Sequence, residues 1–429
     1  MGRHVQFVFL IGLVLAAMGC GEASPVVGGV TALEPLDAMP RYAVVSSDFS
    51  SSSIAMLDRD FAVIDESWLS SGTTYPGLVA TLSGDVVLPN RQAGDGTFAV
   101  IDRFFTDVVT RFFVPSGVLN GQVRTHGELG NAGFSSNPQD FIFVNEASAW
   151  VPRYESNLDP TASPGNKGND LFEIDPTDMS RTGARIDLSS LDTTATVMGD
   201  EGPVEVDVFA RPSRGVLVGS TLVVGLDRIS ASFDAAGPGM VAIVDLGDSS
   251  VEGLELEGLK SCGNTVPVPG APSKVVVACV GFAQPFGDEP QVRASSGIVL
   301  LDIGESGVAI ERVWRVADHP GSAIAVNSIA AIAPERIVGV ATGDFATTVD
   351  ALYAIDLATG AQELVYESTD SFVIGVAAYD PESEMLYVPD AAANVVLQLA
   401  VEQGGFVQVG ETEIAPSLGL PPTKVYLLD

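Results

Sequence analysis

The recurring aspartates are the first residues whose spacing could support chemistry. Six strand-like segments end in an aspartate, at Asp58, Asp102, Asp175, Asp245, Asp302 and Asp356. A ring of carboxylates could hold cations, but these aspartates open turn-forming sequences such as PTDM after Asp175 and LATG after Asp356. An aspartate at such a position accepts hydrogen bonds from the backbone amides of its turn. We therefore predict that these residues shape turns and do not form a ligand site.

A second acidic set could converge at the centre of the fold. Its members lie in segments predicted to be innermost strands, and they are Asp140, Glu205, Asp207 and Asn327. Alternation along a strand places Glu205 and Asp207 on the same side. Converging oxygen ligands would suit Ca²⁺ better than a transition metal. The sequence has no contiguous calcium-binding loop, so a solvated acidic channel is the favoured interpretation and a Ca²⁺ site is the alternative.

The sequence gives little support for catalysis by a histidine or by an activated nucleophile. The chain has three histidines, and His4 falls in the predicted leader, which leaves His126 and His319. Two histidines are too few for a three-histidine metal site, and both lie in polar segments predicted to be exposed. The sequence contains no Gly-x-Ser-x-Gly elbow, phosphate-binding loop or zinc signature. A non-catalytic protein without a cofactor is therefore the favoured prediction.

Two long loops carry residue types that suit a binding surface. Aromatic and charged side chains are mixed there: Arg153, Tyr154, Asn157, Asp159, Lys167 and Asp170 in the first loop, and Phe282, Phe286, Asp288 and Arg293 in the second. Aromatic residues beside mixed charges are typical of surfaces that bind a protein, a peptide or a carbohydrate. The alternative interpretation is that both loops are solvated decorations without a partner.

A repeating β-architecture is predicted to position these loops. Two strands joined by a variable loop recur seven times, at 42–58, 86–102, 149–175, 221–245, 274–302, 336–356 and 385–399. Further strand-like runs, such as 77–82 and 204–210 before a pair, extend each copy to four strands. The runs are rich in Val, Ile, Phe and Ala and lack a helical period. The sequence therefore predicts an all-β fold, a seven-bladed β-propeller of four-stranded antiparallel blades.

The ends of the repeat predict how the ring closes. The first copy begins at Tyr42 without a strand before it, while KVYLLD (424–429) follows the seventh copy. This C-terminal strand is predicted to complete the first blade as its innermost strand, and the alternative is the glycine-containing segment 26–30. In an alternating blade, the connections between the second and third strands emerge beside the links between blades. The long loops are therefore predicted to gather at one face.

The N-terminus predicts export and anchoring. Residues 1–19 have the layout of a signal peptide, with Arg3 before an apolar run that is too short for a permanent membrane span. The segment from Ala17 to Cys20 resembles the bacterial lipoprotein box, which implies a lipid on Cys20 and, with Gly21 following, the outer membrane of the cell envelope. The alternative is an ordinary leader cleaved near Ala23. Residues 20–40 are then a flexible tether and 41–429 a single propeller domain.

Cysteine usage and charge agree with an exported protein. Cys262 and Cys279 are predicted to form a disulfide because the compartment is oxidising, and the alternative is two buried thiols. The chain has 55 acidic and 21 basic residues, a formal net charge of −34. So acidic a surface repels phosphate backbones, which excludes nucleic acids as partners.

The strand pair MLYVPDAAANVVLQL at 385–399, and more loosely the pair at 86–102, resembles the YVTN-type repeat of bacterial surface propellers. The resemblance implies an extracytoplasmic propeller lipoprotein without a settled ligand, and it supplies no catalytic residues. The favoured prediction is an envelope-anchored, non-catalytic propeller that binds a protein, peptide or glycan through its long-loop face. The alternative is a lactonase-like hydrolase in which Asp140, Glu205 and Asp207 hold a divalent cation in the channel.

Overall fold

The computed structural model describes residues 33–74, 76–78, 80, 82–103, 105–126, 134–199, 202–284, 289–305, 307–319, 326–343 and 347–428. The predicted leader, Cys20 and the tether up to residue 32 lie outside the described residues, as do Phe286, Asp288 and the side chain of Asn327. Within these ranges, no helix is long and apolar enough to cross a membrane.

The described chain is built almost entirely of β-strands. The strands up to residue 218 are β1 (Tyr42–Ser47), β2 (Ser52–Leu57), β3 (Val63–Ser70), β4 (Val86–Val87), β5 (Thr97–Asp102), β6 (Val108–Phe113), β7 (Val118–Arg124), β8 (Ile142–Asn145), β9 (Ser148–Ser156), β10 (Gly168–Asp175), β11 (Ser180–Asp187), β12 (Thr193–Gly199), β13 (Gly202–Phe209) and β14 (Pro212–Val218).

The remaining strands are β15 (Thr221–Leu226), β16 (Ile229–Ser230), β17 (Met240–Asp245), β18 (Ser250–Glu255), β19 (Asn264–Pro267), β20 (Lys274–Cys279), β21 (Gly297–Gly304), β22 (Gly307–Arg315), β23 (Val326–Ala333), β24 (Arg336–Ala341), β25 (Ala351–Asp356), β26 (Gln362–Glu367), β27 (Ala378–Asp380), β28 (Met385–Asp390), β29 (Val395–Glu402), β30 (Gly405–Thr412) and β31 (Pro422–Leu427). The helical elements of the described chain are α1 (Glu289–Ser295) and the short 3₁₀ turns Pro164–Asn166, Ser189–Leu191 and Val316–Asp318.

The described strands form seven four-stranded antiparallel sheets and one three-stranded sheet. We number the four-stranded sheets 1 to 7 along the chain. Written from first to fourth strand, they are β31-β1-β2-β3, β4-β5-β6-β7, β8-β9-β10-β11, β14-β15-β17-β18, β19-β20-β21-β22, β23-β24-β25-β26 and β27-β28-β29-β30. The three-stranded sheet, β12-β13-β16, is called the insert sheet below.

The hydrophobic core lies between successive sheets. The second strands are apolar and buried along their length, as in TLVVGL of β15 and KVVVAC of β20. Fourth strands such as β18 and β22 are largely exposed, because their outer edges face solvent. One core cluster joins Trp150 and Leu171 of sheet 3 to Leu222 and Val244 of sheet 4. Burial on both sides explains why the inner strands read as continuous apolar runs.

The antiparallel order gives the molecule two faces. Connections between second and third strands emerge together with the links between sheets, on what we call the loop face. It carries the long connections 157–167, 227–239 and 280–296. The other two connections of each sheet emerge on the opposite side, the turn face, where the β14–β15 turn is formed by Gly219 and Ser220 alone. The three longest connections between strands of one sheet therefore lie on the loop face.

The structure corrects the second copy of the repeat by one strand. In the other six copies, the two predicted strands are the second and third strands of a sheet. In the segment 86–102 they are the first strand, β4, and the second, β5. The predicted first strand at 77–82 forms no strand among its described residues, and Gly77 interrupts it with a φ of 95°.

A second correction concerns the segment 204–210, which is not an innermost strand. It contributes to β13 of the insert sheet, and β14 is the first strand of sheet 4. β14 packs closely against β8, since a Cβ atom on Gly215 of β14 would lie 2.4 Å from Ile142 Cδ1. A larger residue would have to displace the end of that side chain, so Gly215 favours the close approach of these first strands. The acidic residues of β13 instead remain solvated on a hairpin.

Two long-range predictions are confirmed. The C-terminal strand β31 pairs antiparallel with β1, from Tyr42 opposite Leu427 to Val45 opposite Lys424. Cys262 and Cys279 form a disulfide with an S–S distance of 2.08 Å. This bridge ties the link before β19 to the end of β20 on the loop face, and closing such a loop is worth about 3 kcal/mol on the chain-entropy model.

Candidate functional site

Two of the predicted binding residues, Arg153 and Asp170, form a buried ion pair beneath the loop face. Arg153 donates from Nε to Asp170 Oδ1 and from Nη2 to Oδ2, each at 2.7 Å. Its Nη1 donates to the carbonyl oxygens of Thr125 and Gly165 at 3.0 and 2.9 Å. Both charged side chains are fully buried. The pair therefore positions the long loop from below and presents no charge to a partner.

Tyr154 is buried in the same region. The guanidinium carbon of Arg211 lies 4.9 Å from the centre of its ring. Its hydroxyl donates a hydrogen bond to Asp227, and burial, followed by the charge of Asp227, raises the pKa of Tyr154. Arg211 also donates to Glu155 Oε1 at 3.0 Å. These contacts tie the end of β9 to the segments around β15.

Besides Lys167, which is exposed, and Asn157, which is half-buried, three further predicted binding residues reach the surface of the described chain. Asp159 is exposed, and its Oδ1 accepts from the amide and the hydroxyl of Thr161 at 2.8 and 2.7 Å. Phe282 is half-buried, with Lys260 Nζ at 5.8 Å from its ring centre. Arg293 is half-buried in α1. A binding role for these three residues stays a prediction.

The carboxylates predicted to hold a cation are not brought together. Asp140 is buried, and its oxygens accept from the backbone amides of Asn90 and Gly215 at 3.0 Å. Glu205 and Asp207 are exposed on β13 of the insert sheet, away from the first strands. In the described ranges, no group of three His, Cys, Asp or Glu side chains could hold a metal ion. The carboxylate of Asp140, which was predicted to bind a cation, instead accepts hydrogen bonds from backbone amides.

A cavity shared by the first strands opens on the loop face. β14 contacts β19, β19 contacts β23, β23 contacts β27 and β27 contacts β31. The volume at this opening is about 350 Å³. Asn90, Ser213, Ser261 and Asn264 also line it, and the polar mouth is the name we give to its larger polar side chains: Arg103, Gln139, Arg214, Asp227, Lys424 and Tyr426. The opening therefore gathers three basic side chains in a chain whose net charge is −34.

Lys424 is the most unusual residue of the polar mouth. It is one of four lysines in the whole sequence. Its Nζ donates to the carbonyl oxygen of Val86 at 2.8 Å. Burial, and then the positive charge of Arg103, lowers the pKa of Lys424 to about 7, against the opposing effect of Asp85. An amine with such a pKa titrates close to neutral pH.

The two arginines of the polar mouth are fixed by neighbouring acceptors. Arg103 donates from Nε to Asp85 Oδ1 and from Nη1 to Gln139 Oε1, each at 3.0 Å. Arg214 donates from Nη1 to the carbonyl oxygen of Leu88 at 2.7 Å. Such contacts hold the guanidinium planes in defined orientations. The polar mouth is thus preorganised around Lys424.

Tyr426 adds a hydroxyl to the same opening. Lys424 and Tyr426 are two residues apart on β31, so the alternation of a strand turns both toward the cavity. The Tyr426 side chain is 9% exposed, and its hydroxyl finds no hydrogen-bond partner in the described part of the chain. A buried hydroxyl without a partner is unfavourable, and its presence at a cavity suggests that a ligand satisfies it.

Four exposed phenylalanines also lie on the loop face. Phe49, Phe105 and Phe233 lie in second-to-third-strand connections, and Phe372 lies in the link from sheet 6 to sheet 7. Their exposed fractions are 85%, 63%, 54% and 55% respectively. Large exposed aromatic side chains on one face are typical of a protein interaction surface. We call these four residues the phenylalanine rim.

The backbone of the rim is held in an uncommon conformation. The φ angles of Phe49, Phe105, Phe233 and Phe372 are 66°, 66°, 59° and 62°. A left-handed conformation costs a residue with a Cβ atom about 1–2 kcal/mol. Hydrogen bonds maintain it: the amide of Phe49 donates to Ser47 Oγ at 3.0 Å, and that of Phe372 to Asp350 Oδ1 at 2.8 Å. The strain is thus built into the exposed tips of the loops.

Sequence reasoning missed both the polar mouth and the rim. The C-terminal segment was identified as an innermost strand, and its alternation alone could have pointed to Lys424 and Tyr426. Arg103 and Arg214 gave no signal, because they follow a second strand and begin a first strand in two different sheets. The rim lacked a signal as well, since Phe in a short turn reads as an ordinary apolar residue.

Four of the six recurring aspartates shape turns, as predicted. Backbone amides two residues further along donate to the carboxylates of Asp58, Asp175, Asp245 and Asp356. Asp102 and Asp302 differ, since they accept hydrogen bonds from the hydroxyls of Ser83 and Ser273 at 2.6 and 3.0 Å.

The two histidines lie in separate links between sheets. His126 is half-buried after β7, and His319 stacks on Trp314 after β22 with ring centres 5.2 Å apart. They form no pair.

Comparison with known proteins supports the fold. No protein-family model matches the sequence, and a search of curated proteins gives no significant match. Solved structures are similar. The periplasmic gluconolactonase of Pseudomonas aeruginosa matches with a TM-score of 0.52 and 12% identity, over 91% of this chain and 99% of that chain. A putative 6-phosphogluconolactonase of Bacteroides fragilis matches with 0.51 and 9%, over 92% and 99%.

A third similar structure is itself a β-propeller domain. The β-propeller domain of Cps50 from Myceliophteria thermophila matches with a TM-score of 0.51 and 10% identity, over 86% of this chain and 99% of that chain. At such identities the likeness extends to the fold alone. The chain is an all-β protein with a propeller fold.

Proposed function

We propose that the seven four-stranded sheets are the blades of one closed seven-bladed β-propeller, with β31 as the strand that closes the ring. The pairing of β31 with β1 and the contacts that run from β14 to β31 support this arrangement. The hydrogen bond from Lys424 to Val86 links β31 to β4 of the second sheet. A closed ring leaves only short, protected sheet edges.

On this scaffold, the protein acts as a non-catalytic binding protein of the bacterial envelope. The lipoprotein box at Cys20 supports anchoring, and the following tether separates the lipid from the propeller. Replacing Cys20 by Ser is expected to release the protein from the membrane fraction, as measured by fractionation and by labelling with a radioactive fatty acid. A protein that stays in the membrane fraction with Ser at position 20 would contradict the anchor.

The phenylalanine rim is the observation that carries the binding role. Four strained, solvent-exposed aromatic side chains project on the same face. Exposure forfeits the hydrophobic gain of burying a ring, and the left-handed backbone adds a further cost. Both costs are offset when the rings enter pockets of a partner, as aromatic anchors do at the centre of interfaces. We therefore infer that a protein with apolar pockets docks on the loop face.

The test compares partner capture by three forms of the full-length chain in native envelopes. The first is wild type, the second replaces Phe49, Phe105, Phe233 and Phe372 by Asn, and the third carries Phe113→Asn. Asn is among the residues that most readily adopt positive φ, so the rim variant keeps its backbone. Phe113 is 42% exposed at the end of β6 on the turn face and is the matched control.

Wild type and Phe113→Asn are expected to retain the same crosslinked protein partner, and the rim variant is expected to lose it. Equal capture by all three forms would contradict docking through the rim. If wild type captures no protein in the envelope but binds glycans on an array, the partner is a carbohydrate and the proposal of a protein partner is wrong.

A second candidate function is lactone hydrolysis. Two similar structures are named gluconolactonase or putative 6-phosphogluconolactonase, and the polar mouth could hold an anionic substrate. The test measures hydrolysis of glucono-δ-lactone with and without added Ca²⁺, Mg²⁺ or Mn²⁺. The binding function predicts the rate of buffer alone. Saturable hydrolysis that disappears in Arg214→Gln would establish the enzyme instead.

A further inference from the structure

The polar mouth contains one positive charge that the described protein does not pair. Arg103 is hydrogen-bonded to Asp85, and Arg214 lies 3.7 Å from Asp140. Lys424 donates to a backbone carbonyl and, within the described ranges, forms no ion pair with a carboxylate. A buried ammonium without a counterion is unfavourable. A bound anion would supply the missing charge.

A second group at the same place also needs a partner. The Tyr426 hydroxyl has none in the described chain, and it lies on the same side of β31 as Lys424. An ammonium and a hydroxyl offer several donors and a single positive charge. A ligand that satisfies both must therefore present acceptor oxygens and a negative charge.

We infer that the polar mouth binds a carboxylate, with Lys424 and Tyr426 as its donors and Arg214 beside them. A carboxylate group brings one negative charge to the unpaired cation, and a second carboxylate of the same ligand can lie away from it toward the opening. A phosphate would instead place two charges at the same point, beside the neighbouring aspartates. The volume of about 350 Å³ accommodates a small molecule or the acidic side chain of a partner. This site is independent of the phenylalanine rim and of the docking proposed there.

Carboxylate binding is expected to depend on pH. The groups near Lys424 are two cations and three carboxylates: Arg103, Arg214, Asp85, Asp140 and Asp227. Burial raises the pKa of Asp140 and of Asp227, while that of Lys424 is lowered to about 7. Only the protonated amine attracts a carboxylate, so above pH 7 binding must be accompanied by proton uptake. The affinity therefore falls as the pH rises from 7 to 9.

The test titrates the full-length protein with succinate and with succinamide in a calorimeter. The two molecules have similar size and differ in charge, so succinate is expected to bind and succinamide is not. At pH 8, titrations in buffers of different ionisation enthalpy are expected to show proton uptake with succinate. Lys424→Met is expected to weaken succinate binding at least tenfold, as is typical of losing a charge-assisted hydrogen bond.

Matched variants keep the result interpretable. Lys274→Met removes a half-buried lysine, which is paired with Glu311, from the start of β20 on the turn face, and this variant is expected to bind like wild type. Tyr426→Phe keeps the packing of the ring and tests the hydroxyl if Lys424→Met fails to fold. Binding of succinate by the rim variant separates this site from the docking surface.

Two outcomes support the inference and two overturn it. Binding of succinate indicates a free small-molecule ligand, while binding of an acidic peptide alone indicates a partner's side chain. Equal affinity for succinate and succinamide would overturn the site. No binding of either the small molecule or an acidic peptide by the folded wild-type protein would overturn it as well.

Discussion

The two ends of the cavity are formed by the same first strands, yet they differ in chemistry. The polar mouth on the loop face carries Arg103, Arg214 and Lys424. The opening on the turn face is larger, about 540 Å³, and its lining mixes apolar residues such as Val218, Ala330 and Leu427 with Asn90, Arg91 and Tyr379. The two ends therefore differ in charge and not in overall polarity. Three basic side chains gather at the loop face, whereas Arg91 is the one basic residue among the described residues that line the turn-face opening. We infer from this charge that the loop face is the functional end.

The loop face and the turn face also differ outside the cavity. The loop face carries long connections, buried ion pairs and the phenylalanine rim, whereas the turn face is formed mostly by short turns. Buried acids support the loop face: Asp350 accepts the amides of Gly343, Phe372, Val373 and Ile374 at 2.7–2.8 Å. Long loops need such internal contacts to keep one conformation. The loop face is therefore rigid at its base and exposed at its tips.

The largest expected effect comes from removing a support of the loop face. Arg153→Met leaves Asp170 buried with Arg185 as its remaining ionic partner. We expect the free energy of unfolding to fall by about 3 kcal/mol, because the buried carboxylate loses its bidentate partner and keeps one contact with Arg185. Chemical denaturation measures it. The control, Arg312→Met, breaks the exposed pair with Glu335 and is expected to change stability by less than about 1 kcal/mol. Equal effects would contradict the buried support.

A smaller change of opposite sign is expected at the polar mouth. Tyr426→Phe removes a buried hydroxyl that has no partner in the described residues. We expect the ligand-free protein to become more stable by about 1 kcal/mol, because the desolvation cost of the hydroxyl disappears. The same variant is expected to bind succinate more weakly. Thermal unfolding measures the gain in stability, and calorimetry measures the loss of succinate affinity. A destabilised variant with unchanged binding would show that Tyr426 has a structural role only.

Substitutions in the phenylalanine rim are also expected to raise the stability of the protein while weakening partner binding. Phe49→Asn relieves a left-handed aromatic residue, and we expect stability to rise by about 0.5–1 kcal/mol. Phe113→Asn, on the turn face, is expected to give no such gain because its φ is not in the left-handed region. Equilibrium unfolding of both variants decides the point. A loss of stability in Phe49→Asn would mean that its ring packs against the protein.

A pH dependence of stability is also expected at the polar mouth. The folded pKa of Lys424 is about 7, below its usual value of 10.5, so above pH 7 the unfolded chain binds more protons at this group. Stability then rises with pH between 7 and 9.5 relative to Lys424→Met. Paired melting curves at several pH values measure the difference. A difference that stays constant over this range would indicate an ordinary lysine pKa.

The sequence predicted the strands better than it predicted the site. Apolar runs and turn residues are local signals, and they located the second and third strands of six sheets and the C-terminal strand β31, which pairs with β1. The second copy was displaced by one strand because β4 has only two residues in the ladder. Such a short strand leaves no clear pattern in the sequence.

The site escaped because its residues are brought together only by the fold. Arg103, Arg214 and Lys424 are more than a hundred residues apart in sequence and belong to three sheets. Conversely, Arg153 and Asp170 looked available in the sequence, although strand pairing places them against each other and out of solvent. Charge and spacing alone cannot distinguish a buried ion pair from a binding surface.

The most direct test of the central claim compares two phenylalanines of one sheet. A photoreactive phenylalanine analogue replaces Phe105 on the loop face or Phe113 on the turn face, and the full-length protein is irradiated in native envelopes. The loop face is the binding face if the position 105 protein gives a discrete protein adduct and the position 113 protein gives none, which is the result we predict. Adducts at position 113 alone, or equally at both positions, would contradict it.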